Sequence, residues 1–76
     1  MNFIPGDTVI LREDARDYFG RVSVPAGTTG EVKDRVTGQL GPTYLVCFQL
    51  LTYEHTQRIL GTSLELFDDE YQRNPG

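Results

Sequence analysis

The stretch VPAGTTGEV, residues 24–32, constrains the fold more than any other part of the chain. Pro25 locks its own φ and biases Val24 towards extended geometry, so no helix runs through this point. Gly27 supplies the positive φ that a tight reversal demands. Gly30 then opens the strand GEVKDRV at a position where a missing Cβ lets another backbone or a large side chain come close. A reversal at Gly27 with close approach at Gly30 curls the flanking segments around one shared apolar interior.

The rest of the chain reads as short strands and turns. DTVIL (7–11) follows a Pro5-Gly6-Asp7 turn and sets Val9 and Leu11 on one face. REDARDYFGR (12–21) is charged, carries two adjacent aromatics and ends in glycine, which predicts a helical turn or a long loop. TGQLGP (37–42) predicts a hairpin whose loop is longer than the two-residue kind. TYLVCFQLL (43–51) is the strongest strand: Tyr44, Val46, Phe48 and Leu50 share one face, Leu45 and Cys47 the other, and apolar residues on both faces mark a central strand. After a TYEHT loop, Arg58 to Leu60 form a short strand, Gly61 a bend, and residues 63–67 one helical turn that carries Leu64 and Phe67 inward. Residues 68–76 have Tyr71 as their one apolar anchor and read as a flexible acidic tail, leaving a single domain over residues 1–67. The fold class expected is all-β, a small barrel of about five short strands with one short helical turn near the C-terminus.

Charge and cysteine content narrow the partners. Seven basic residues against eleven acidic ones give a net charge of −4, and Lys33 is the sole lysine. Affinity for nucleic acid draws on lysine and arginine meeting phosphates, so this balance disfavours a general nucleic-acid binder and favours a basic protein surface. Cys47 is the only cysteine, which leaves no intrachain disulfide and points to a reducing, cytoplasmic setting. MNFIPGD lacks the basic start and apolar run of a signal peptide, and no stretch approaches a membrane span. A chain of this kind is expected to be a monomer or a weak homo-oligomer.

The order PGDTVIL, a long polar loop, VPAGTTGEV, YLVCF and LGTSLELF resembles the small bacterial SH3-like barrels, in which a GD.V.L strand precedes P.GT.G.V and Y.V.F strands. That group includes the nitrogen-fixation accessory protein NifZ, the small stromal subunit of photosystem I, the variable chain of ferredoxin-thioredoxin reductase, and the C-terminal domain of the nitrile hydratase β subunit. The resemblance spans most of residues 5–67. It implies an SH3-like barrel and a non-enzymatic accessory module that docks on a larger protein complex. The proline-peptide mode of eukaryotic SH3 domains uses an aromatic row that includes tryptophan, and this chain has none.

In such barrels the long loop after the first strand borders the binding groove. Here that loop carries Tyr18 and Phe19 between Arg16 and Arg21, residue types enriched at protein interfaces. Tyr53 and His55 extend the candidate surface, and the competing reading has Phe19 capping the barrel and Tyr53 and His55 merely solvated. A nucleic-acid-associated barrel of the KOW type is the alternative, but Glu13, Asp14, Asp17 and Asp34 stand beside Arg12, Arg16, Arg21 and Arg35. Cys47 and His55 are eight residues apart and read as a core cysteine and a surface histidine, with no catalytic role. No spacing suits a zinc or calcium site, and GTTG lacks the lysine and helix of a phosphate loop, so neither metal nor cofactor is expected.

Overall fold

β-strands dominate a computed structural model that describes residues 2–67. In chain order they are β1 (Thr8–Leu11), β2 (Ala15–Arg16), β3 (Val22–Val24), β4 (Thr29–Gly38), β5 (Gly41–Gln49) and β6 (Glu54–Leu60), then a 3-10 turn (Gly61–Ser63) and β7 (Leu64–Leu66). Five of them form one antiparallel sheet in the order β6-β5-β4-β1-β7, while β2 and β3 pair separately. The all-β expectation holds. The two sheets are not closed into a barrel by any ladder among the described residues.

Alternation along β5 builds the core. Tyr44, Val46 and Phe48 are fully buried, Leu50 packs partly against them, and Leu45 and Cys47 face the other way. β5 lies between β4 and β6, an interior strand as expected. Val9 and Leu11 of β1, Val32 of β4, Ile59 of β6 and Leu64 of β7 complete the same interior. Phe3, which the sequence reading did not single out, lays its ring edge-on against Tyr44 at 5.2 Å, and its backbone N–H donates to Tyr44 Oη at 3.1 Å. The buried phenol oxygen is thereby satisfied.

Gly27 adopts φ +88°, and its N–H donates to the Leu11 carbonyl at 2.8 Å, closing the reversal onto β1. Gly30 sits opposite Val9 on one side and Phe48 on the other. A Cβ there would lie 2.7 Å from Val46 Cγ1, 2.8 Å from Phe48 Cδ1 and 2.9 Å from the Cys47 carbonyl oxygen. The close approach expected at this glycine is present.

Other expectations are corrected. Residues 12–21 form no helical turn; they are a loop interrupted by β2, which pairs with β3, with residues 17–20 turning between the two. The loop of the β4–β5 hairpin is only Gln39 and Leu40, since Gly38 pairs with Gly41, which takes φ +119°. β6 begins at Glu54 rather than Arg58 because β5 offers it a partner all the way to Gln49, so His55 is a strand residue and the loop is shorter than TYEHT. The helical turn falls at Gly61–Ser63, and Leu64–Leu66 extend alongside the open side of β1. Leu64 still points inward and Phe67 is half-buried. Cys47 is half-buried on the outer face and is not a core residue. The tail expected at 68–76 lies outside the described residues.

Gly30→Ala is expected to cost about 3 kcal/mol, because one of the three obstructing atoms is backbone and has nowhere to go. Gly27→Ala meets open space and only the strain of a positive φ, about 1 kcal/mol. Urea denaturation of the two variants checks the order.

Candidate functional site

The hairpin β2–β3 is rooted in the core and its tip stands in solvent. Ala15 and Val24, cross-strand partners, are both buried. Beyond them, Tyr18 is 96% exposed and Phe19 74%. Phe19 therefore does not cap the core formed by the described residues. Large exposed aromatics on a loop would ordinarily be mobile, so what holds them decides what the site is.

Asp17 holds the tip. Its Oδ1 accepts the N–H of Phe19 at 2.9 Å and of Arg21 at 3.0 Å. Its own N–H donates to the Arg21 carbonyl at 2.8 Å, and its carbonyl accepts the Gly20 N–H at 3.0 Å. Gly20 takes φ +79°, the position at which the chain must turn back. Arg16 Nη1 then donates to the Gly20 carbonyl at 2.8 Å. Side chains finish the assembly: Tyr18 and Phe19 meet edge to face at 5.4 Å, and the Arg21 guanidinium carbon lies 5.3 Å from the Phe19 ring centre. Both contacts are of the favourable geometry for an aromatic quadrupole. Arg21 Nε also lies 3.9 Å from Asp17 Oδ2.

Gln57 of β6 ties the hairpin to the main sheet. Its Nε2 donates to the Arg16 carbonyl at 2.8 Å, and its Oε1 accepts from Ser23 Oγ at 2.6 Å and lies 2.8 Å from His55 Nε2. Thus Arg16, Tyr18, Phe19 and Arg21 come together, and His55 joins the base of the hairpin through Gln57. Tyr53 stands exposed in the β5–β6 turn, with no hydrogen bond to the hairpin among the described residues. A groove of about 240 Å³ lies at the hairpin root, lined by Glu13, Asp14 and Arg16 on one side and Gln57, Arg58 and Ile59 on the other.

Two residues that build the site were missed from sequence. Asp17 had a local signal, since aspartate three residues before glycine is a type I turn signature. Gln57 had none, because it meets Arg16 across 41 positions. Cys47 and His55 are not brought together: Cys47 pairs with Thr56 and His55 with Phe48, so the two side chains leave opposite faces of the sheet. No group of three or more His, Cys, Asp or Glu suited to a metal ion occurs among the described residues, and no helix there is long and apolar enough to cross a membrane. Compared with protein-family models, curated proteins and solved structures, the chain matches none.

Asp17→Ala is expected to release the tip while sparing the sheet. Amide exchange at Phe19 and Arg21 should rise sharply, with a loss of about 1 kcal/mol in global stability. Protection at Phe48 and Val46 should change only by that global amount.

Proposed function

We propose that this protein is a non-enzymatic accessory module that docks on a protein partner through the tip of the β2–β3 hairpin. One observation carries the reading: two large aromatics and an arginine stand in solvent on a turn held by five hydrogen bonds centred on Asp17 and Gly20. Ordering a loop costs conformational entropy, and a tip already ordered spares the complex that cost. Tyr18 and Phe19 supply the apolar contact, Arg16 and Arg21 flank it, and His55 and Tyr53 lie towards its margin.

We read the fold as an SH3-like barrel of bacterial type, working in the cytoplasm. The strand order supports this, with the last strand beside the first, a long hairpin-bearing connection between β1 and β4, and a short helical turn before β7. A nucleic-acid role takes second place, because Arg12, Arg21 and Lys33 each have a carboxylate within 4 Å.

Tyr18→Ala should lower affinity for the partner by about 1–2 kcal/mol, roughly tenfold, without altering the circular dichroism spectrum. The check is quantitative capture from the source cell with wild-type and variant baits, followed by titration of the captured protein. Equal binding by both baits would discard the hairpin tip as the docking site. Mobility shift of an oligonucleotide at low salt, lost steeply as salt rises, would instead favour the nucleic-acid reading.

A further inference from the structure

The main sheet ends on β6, and the direction of its peptide groups is set by the hairpin register. The Leu50 N–H donates to the Tyr53 carbonyl at 2.9 Å, which makes that pair a hydrogen-bonded one. Stepping by two, Phe48–His55, Val46–Gln57 and Tyr44–Ile59 are also pairs that turn their peptide groups towards each other. Glu54, Thr56 and Arg58 therefore turn theirs away from β5. The same parity holds across the sheet, since Val32 exchanges its backbone bonds with Asp7 and Gly6 on the β1 side. No backbone hydrogen bond outside the β5 ladder reaches Glu54, Thr56 or Arg58 among the described residues. The hydrogen bonds from the β2–β3 hairpin meet β6 through the Gln57 side chain alone.

An open edge invites another strand, and proteins commonly blunt such an edge with charge. Here the charges are arranged to attract a copy of themselves. Glu54 and Arg58 sit on the same outer face, one on each side of Thr56, and all three are exposed. We infer that β6 pairs antiparallel with β6 of a second copy of this chain about a two-fold axis through Thr56. Thr56 then faces its own counterpart, and Glu54 of each copy faces Arg58 of the other. These are the residues whose peptide groups point outward, so each facing pair exchanges both of its backbone bonds while the side chains form two opposite-charge cross-strand contacts. On the inner face, His55 of each copy faces Gln57 of the other. The other edge, β7, offers only three residues. This pairing uses the β6 backbone and the side chains along it, and none of Arg16, Tyr18, Phe19 or Arg21 of the hairpin tip.

Sedimentation equilibrium of the full chain over micromolar to millimolar concentration tests it. Wild type should dimerise reversibly. Glu54→Arg sets like charges opposite each other twice and should weaken the dimer by about tenfold or more, while Glu54→Arg combined with Arg58→Glu should restore it. Thr56→Pro removes an outward N–H, is tolerated on an edge strand, and should leave a folded monomer by circular dichroism. A wild type that stays monomeric at millimolar concentration would overturn the inference and leave the edge to a strand of another protein. So would a dimer that Glu54→Arg does not weaken, or one that the double exchange fails to restore.

Discussion

The close approach at Gly30 is the constraint on which the rest of the molecule depends. β4 is the strand that both halves of the main sheet share, pairing with β1 on one side and β5 on the other. At Gly30 it lies directly against Val46, Phe48 and the Cys47 carbonyl, with no room for a methyl group. That contact sets β1 and β5 around one interior in which Tyr44, Phe48 and Val9 are fully buried. Burial of this kind contributes about 1.5–3 kcal/mol per large apolar side chain, the main favourable term in a domain this small. Phe3 and Gly61 of the 3-10 turn both lie against Tyr44.

The candidate surface is a consequence of this frame. Ala15 and Val24 reach the interior only because the Gly27 reversal returns the chain to Leu11. Once the hairpin root is fixed there, Gln57 fastens its side, and the tip has a rigid base from which Asp17 and Gly20 shape the turn. The aromatics are thus exposed by construction: the strands that carry them are two and three residues long, and their buried positions are already spent at the root.

Legibility in the sequence followed how local each demand was. The Gly27 reversal, the bare position at Gly30 and the faces of β5 were readable because each is stated by a few adjacent residues. Of β6 only Arg58 to Leu60 was readable, because His55 and Gln57 occupy inner positions with polar groups that hydrogen-bond each other and the hairpin, which erases the apolar period. At the C-terminal end, the Leu64–Phe67 spacing suits a helical turn as well as Leu64–Leu66 suits a strand, and pairing with β1 decided for the strand. The glycines at 38 and 41 looked like loop and are in fact the last rung of a ladder. For the candidate site, residue type alone marked Tyr18, Phe19 and Arg21. The bonds that hold them, and the edge charges on β6, depend on register that no local pattern states.

The central claim is that the fold itself holds an exposed aromatic tip in one conformation. Backbone ¹⁵N relaxation of the intact protein addresses it directly. Amides of Tyr18, Phe19, Gly20 and Arg21 should show order parameters of about 0.85, level with those of β4 and β5. Values below about 0.6 at these four amides, with the sheet still rigid, would contradict the account, because the aromatics would then ride on a mobile loop.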